Sequence, residues 1–180
     1  MLRQFLALLL YVSFAGTALH AQATATAERT ARIQVGAGVT MVAPDYEPKN
    51  IFGYSIYGDF DFTRHIGIEG AIHKATVITP TDIAESSYLL GPRYVFTKGR
   101  FRPYAKALLG IGTFTFQPVY VTSKSSSSSH KIYAFGGGVD YTGKHHVNVR
   151  VIDMEYQGWP SFGSSGLTPF VITAGAAYNF

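Results

Sequence analysis

Apolar and polar residues alternate with a period of two in segments of roughly ten residues along most of the chain. In the last segment, Pro169 to Phe180, one face carries Phe170, Ile172, Ala174, Ala176, Tyr178 and Phe180. The other face carries Val171, Thr173, Gly175, Ala177 and Asn179. Successive side chains of a strand point to opposite sides, so this spacing predicts a strand with one apolar face. Seven earlier segments repeat the pattern: Ala31 to Thr40, Phe52 to Phe62, Ile66 to Thr76, Glu85 to Phe96, Arg102 to Phe114, Lys131 to Thr142 and His146 to Gln157. No segment sustains an apolar 3.6 period, and glycine recurs inside the segments, which argues against helices.

The connections alternate as well. Thr63-Arg64-His65, Thr97 to Phe101 and Gly143-Lys144-His145 are tight turns, each with a basic residue. Met41 to Ile51, Val77 to Ala84, Thr115 to His130 and Gly158 to Thr168 are longer and rich in Pro, Ser, Gly, Asp and Thr. Short turns at one end and long loops at the other are the periplasmic and extracellular ends of a transmembrane barrel. A strand tilted by ~40° across an apolar band ~25 Å tall needs about ten residues, and eight such strands close around an interior filled by side chains. The expected fold is all-β, an eight-stranded antiparallel up-and-down transmembrane β-barrel.

The more apolar face of each segment holds Ile33, Val35, Ala37 and Val39; Phe52, Tyr54, Ile56, Phe60 and Phe62; Ile66, Ile68 and Ile72; Leu90, Tyr94 and Phe96; Ala105, Ala107, Leu109 and Ile111; and Tyr133, Phe135, Val139 and Tyr141. None is charged, so this face is expected to meet lipid, with aromatic girdles at both rims. Trp159, at the start of a loop, is expected to anchor in the outer leaflet. The opposite face collects Arg32, Asp59, Asp61, Glu69, His73, Arg93, Lys106, Asp140 and Arg150. In the seventh segment the apolar phase passes from Val147, Val149 and Val151 to Ile152, Met154 and Tyr156. A β-bulge near Val151 and Ile152 accounts for the slip and turns Asp153 and Glu155 inward. Isolated buried charges are far costlier than paired ones. An interior ion-pair network is therefore expected from Arg32, Asp59, Asp61, Glu69, Arg93, Lys106, Asp140, Arg150, Asp153 and Glu155, with Glu69 and Arg93 at similar height. His73, on the Glu69 face, reads as a hydrogen-bonded filler.

Composition sets the surroundings of this fold. Charged residues make up 14% of the chain, against about 25% in ordinary soluble domains, so much of the surface does not face water. Arg3, the apolar run Phe5 to Ala15 and Ala18-Leu19-His20-Ala21 read as a secretory signal peptide over residues 1–21. Residues 22–30 form a short small-residue segment, and residues 31–180 form the barrel domain. Of 15 basic residues the leader holds only Arg3, leaving 14 against 11 acidic ones. That small, scattered excess gives no nucleic-acid partner. The chain has no cysteine, which excludes disulfides and a lipid-anchored N-terminal cysteine.

Candidate chemistry is sparse. His145 and His146 are adjacent, so in a strand they would point to opposite faces, a poor start for a metal site. Ser125 to Ser129 read as a flexible loop tip. Gly163 to Gly166 departs from the G-x-S-x-G nucleophile pattern and lacks a strand-to-helix context. No catalytic, cofactor or metal residue is expected.

Tyr88-Leu89-Leu90-Gly91-Pro92-Arg93-Tyr94, Arg102-Pro103-Tyr104-Ala105 through Leu109-Gly110, Gly136-Gly137-Gly138-Val139-Asp140 and the strand ending at Phe180 resemble the small eight-stranded outer-membrane barrels of the OmpA/OmpX type. The likeness covers the whole chain after the leader and is one of pattern, without a catalytic signature. It implies integral outer-membrane localisation in a Gram-negative envelope, outer-membrane lipids as surroundings, and recognition of Tyr178 and Phe180 by the assembly machinery. It implies no single activity, because such barrels serve as tethers, adhesins, small channels and, less often, lipid enzymes. The expected role is a non-enzymatic monomer with a closed, salt-bridged lumen, whose loops serve surface interaction with an extracellular ligand or envelope integrity. A lipid-modifying enzyme or a porin-like small-solute channel is the alternative. A soluble lipocalin-like carrier would need an apolar lumen and a charged exterior, the reverse of this pattern.

Overall fold

Alternating segments of this length become strands that pair with their chain neighbours until the last meets the first. A computed structural model describes residues 31–45, 50–76, 83–116, 126–163 and 165–180. Its strands are β1 (Arg32–Ala43), β2 (Ile51–Asp61), β3 (Ile66–Thr76), β4 (Ile83–Val95), β5 (Phe101–Phe116), β6 (Ser126–Thr142), β7 (Val147–Gly158) and β8 (Phe170–Asn179). All neighbours are antiparallel, and β8 returns to β1 through a ladder from Gln34↔Asn179 to Ala43↔Phe170, closing the barrel. Closure satisfies the backbone of every strand laterally, a requirement for any sheet that crosses lipid. The expected leader (1–21) and the segment 22–30 lie outside the described residues.

The ladders are staggered. Cross-strand partners lead from Arg32 through Asp61, Gly67, Arg93, Lys106, Gly136, Glu155 and Val171 to Val42, ten residues further along β1. This shear tilts the strands and sets the barrel's width. At the short-turn end, Thr63 Oγ1 accepts the N–H groups of His65 and Ile66 at 3.2 and 2.9 Å. The β6–β7 turn places both His145 and His146 in the left-handed region, at φ 56° and 63°. In the β4–β5 turn Gly99 takes φ 64°, a conformation glycine adopts without steric cost.

The outward face matches the apolar set read from the sequence. Leu109 is 71% exposed, and Ile33, Val35, Val39, Leu90, Ile111 and Phe135 on other stretches of the wall are exposed as well. Edge-to-face aromatic pairs line the short-turn rim: Phe60–Phe62 at 4.7 Å, Tyr94–Phe96 at 4.9 Å, Phe101–Tyr141 at 5.3 Å and Tyr178–Phe180 at 5.0 Å. These geometries add to the burial each ring gains at a membrane interface. On β7 the register shifts between Arg150 and Asp153, with Val151 as the extra residue. Val151 and Met154 are consequently both exposed, while Asp153 and Glu155 are both buried.

Two sequence expectations need correction. Ser126 to Ser129 are not a loop tip; they open β6 and pair with Phe116 to Thr113 of β5. Strand pairing here is carried by the apolar partner strand and the backbone ladder, which overrides the low strand propensity of a serine run. Trp159 is not an outward anchor. It is 1% exposed, because the inward phase of Glu155 and Gln157 continues through it and turns the indole toward the inner faces of β5 and β6. There it packs with Phe114, Leu108, Ile132, Leu167 and Phe162. A Cβ at Gly112 would lie 2.2 Å from the indole, so the glycine makes room for the ring.

Two measurements check this orientation. Leu109→Arg should cost about 2–4 kcal/mol in reversible unfolding from a bilayer, as a cation on the lipid face near mid-membrane does; a neutral effect would invert the faces. Emission from Trp159, the single tryptophan, should be blue-shifted and resist quenching by both acrylamide and bromine-labelled acyl chains. Strong quenching by the labelled lipid would return the ring to the membrane face.

Candidate functional site

Period-two alternation on eight strands delivers every second side chain to one narrow interior, and the charges of six strands converge there. Near the short-turn end the Arg102 guanidinium meets the Asp61 carboxylate at 2.7 Å. Arg32, the register partner of Asp61, remains half-buried at the margin of this pair. One level further in, the Gln34 amide donates to Asp59 and, at 3.2 Å, to Asp140. The Asn148 amide donates to Gln34 Oε1 at 2.7 Å.

Three cations occupy the centre. Arg93 pairs with Asp59, with Asp140 at 2.5 Å and with Glu69 at 3.3 Å. Arg150 reaches Asp59 at 2.9 Å, Asp140 at 3.1 Å, Glu69 at 3.2 Å and Asp153 at 3.6 Å. Lys106 Nζ lies 2.6 Å from each of Glu69, Asp153 and Glu155. Those three carboxylates are close enough together to hold a metal ion, but the Lys106 ammonium already stands at their focus. Tyrosine rings flank the arginines, with Arg150 3.7 Å above Tyr57 and Arg93 4.1 Å above Tyr104. A guanidinium over a ring face gains electrostatic attraction in addition to its carboxylate contacts.

Toward the long loops the charges give way to neutral donors. His73, expected to be a hydrogen-bonded filler, is buried, but its Nε2 stands 3.2 Å from Glu155 Oε1 without the alignment of a hydrogen bond. The Gln157 amide donates to Glu155 at 3.2 Å and to Ser87 at 3.4 Å, and the Trp159 indole donates to Gln157 at 3.4 Å. Thr40 and Thr173 share a hydroxyl hydrogen bond of 2.9 Å across β1 and β8. From Asn148 and Gln34 through the central charges to Gln157 and Trp159 the interior contacts are continuous, and the Arg102–Asp61 pair stands separate toward the short-turn end.

The structure brings together nine of the expected residues: Asp59, Glu69, Arg93, Lys106, Asp140, Arg150, Asp153 and Glu155 in the centre, and Asp61 in the separate pair with Arg102. Arg32 stays at the margin, since Arg102 has taken the Asp61 carboxylate. Arg102, Gln34, Asn148 and Gln157 were not singled out from the sequence. Each lies an even number of residues from a charge on its own strand's inner face: Arg102 from Lys106, Gln34 from Arg32, Asn148 from Arg150 and Gln157 from Glu155. That signal was available.

Tyr178 and Phe180 lie on the exposed face of the closing strand, at 50% and 68% exposure. His145 and His146 are exposed in their turn.

Against known proteins the architecture is familiar. The structure of Neisserial surface protein A superposes with a TM-score of 0.68 at 14% identity, covering 84% of this chain and 97% of that one. Ail, the attachment invasion locus protein of Yersinia pestis, solved in complex with the heparin analogue sucrose octasulfate, gives 0.57 at 20% identity, over 83% and 97%. The outer membrane protein OprG from Pseudomonas aeruginosa gives 0.57 at 16% identity, over 84% and 96%. At these identities the likeness concerns the fold. No curated protein matches the chain in sequence. The model of the outer membrane protein beta-barrel domain matches residues 7–180, and with a closed eight-stranded barrel of apolar exterior the chain belongs to that family and is an integral protein of the outer membrane.

Proposed function

We propose that this barrel is a non-enzymatic, non-conducting outer-membrane protein whose lumen is locked by its ion-pair network and whose long-loop end serves surface interaction or envelope integrity. In this reading residues 1–21 are removed on export, and the terminal strand with Tyr178 and Phe180 is the segment met by the assembly machinery. The observation that carries the proposal is Lys106, with its ammonium 2.6 Å from three carboxylates on two facing walls. A solute passing the centre would have to break several charge-assisted contacts at once, each stronger than a neutral hydrogen bond. Above the charges, toward the long loops, the rings of Trp159, Phe114 and Phe162 pack against one another.

The enzyme alternative needs a serine, a histidine and a carboxylate that a lipid can reach. Ser87 and His73 are register partners and Glu155 approaches His73, yet they are only 3%, 4% and 1% exposed. The hollow beside His73 and Ser87 does not admit even a water molecule. That burial favours a structural role for the three.

Purified protein in planar bilayers should show no stable general-diffusion conductance and at most rare small openings, since an eight-stranded interior is filled by side chains. Steady nanosiemens-scale channels from the monomer would overturn the locked reading and establish the channel.

A further inference from the structure

The chain sorts its charges by sign. Every described Asp and Glu except Asp45 is buried, whereas Arg64, Lys74, Lys98, Arg100, Lys131 and Lys144 are exposed. Four of these cations sit on the three short turns. Arg64 lies between β2 and β3, Lys98 and Arg100 between β4 and β5, and Lys144 between β6 and β7, with His65, His145 and His146 beside them. Among the described residues no exposed Asp or Glu side chain shares that end, and Asp61, the last residue of β2, is buried against Arg102.

We propose that Arg64, Lys98, Arg100 and Lys144 form a cationic collar that binds the phosphate groups of anionic phospholipids in the leaflet facing the periplasm. The proposal rests on the membrane-embedded barrel described above, whose short turns mark the periplasmic side.

Three observations favour a lipid layer over a compact partner. The cations are spread over three turns separated by pairs of strands, so they follow the rim instead of gathering on one face. A planar headgroup layer meets all of them, and a small partner meets one or two. They also border the aromatic girdle: Arg100 Nη1 donates to Tyr141 Oη at 3.4 Å, and the His65 ring stacks on Tyr94 at 5.8 Å. Those rings mark the interface between acyl chains and headgroups, so the cations stand at phosphate depth, their apolar stems within reach of the girdle. Finally, the turns are fixed in position. The Thr142 N–H donates to the Arg100 carbonyl at 2.8 Å, tying the β4–β5 turn to the end of β6, and the Gly143 N–H donates to Val147 at 3.0 Å.

The test uses the full protein in vesicles of phosphatidylcholine and phosphatidylglycerol, each carried in turn as a spin-labelled probe. The lipid held at the barrel surface is read as the motionally restricted component of the spectrum. At low salt the protein should prefer phosphatidylglycerol by roughly fivefold, the ratio that one cation's attraction to an anionic surface provides. The preference should fall in high salt. It should approach unity in the combined variant Arg64→Gln, Lys98→Gln, Arg100→Gln, Lys144→Gln, with folding verified by heat-modifiable migration. Equal association of the two lipids with the native protein would overturn the collar, as would a preference that survives in the variant. So would its loss in Lys74→Gln, Lys131→Gln instead, two positions toward the other rim. Absence of any restricted lipid component would strike the membrane reading itself, which keeps the two failures distinct.

Discussion

An eight-stranded sheet closed on itself leaves an interior only as wide as the side chains that fill it, and every ionised group pointing inward must be answered by another protein group. Among the described residues that requirement falls on four buried cations, Arg93, Arg102, Lys106 and Arg150, and the carboxylates around them. Lys106 and Arg150 each reach carboxylates from several strands, so neither is satisfied until the sheet has closed. Closure and charge compensation are therefore one event. The ladders bring β5 and β7 into the same lumen, and the contacts between them then hold the wall in a single register.

The bulge at Val151 is what makes the compensation possible. Without an extra residue, alternation from Arg150 would turn Ile152 and Met154 inward and present Asp153 and Glu155 to lipid. With it, Arg150, Asp153 and Glu155 all face the lumen, and two of the three ligands of the Lys106 ammonium come from β7. A one-residue slip anywhere in the barrel would exchange the two faces of a strand and send charges into the membrane. Buried ion pairs gain little over a well-packed apolar core in stability. Here they discriminate against wrong registers, because each misplaced charge faces hydrocarbon.

Much of this was legible in the chain. Period two assigns the faces, the missing charges on one face name the lipid side, and the slip from Val151 to Ile152 locates the bulge. The pairings themselves were not legible beyond the Glu69–Arg93 contact. They depend on the stagger of ten residues, which moves Asp140 of β6 and Arg93 of β4 to the same height and leaves Arg32 at the margin while Arg102 takes Asp61. Trp159 misled because loop tryptophans commonly anchor at the interface, whereas here the inward phase of β7 runs past the end of the strand. The serines of β6 misled because local composition says nothing about a partner strand as long as β5.

Polar filling has a consequence for assembly. A strand apolar on both faces would read as an unbroken hydrophobic run, but these strands stay amphipathic until their inner faces find one another. Among the described residues every carboxylate side chain but that of Asp45 is thereby withdrawn into the lumen, while Arg64, Lys98, Arg100 and Lys144 stay exposed on the short turns. The most direct test of the shared network is a double-mutant cycle on Lys106 and Glu155, read by reversible unfolding. Lys106→Met alone should cost about 3–5 kcal/mol by stranding buried carboxylates, and adding Glu155→Gln should restore part of that loss. Strictly additive losses, or a Lys106→Met barrel as stable as the native one, would contradict the account.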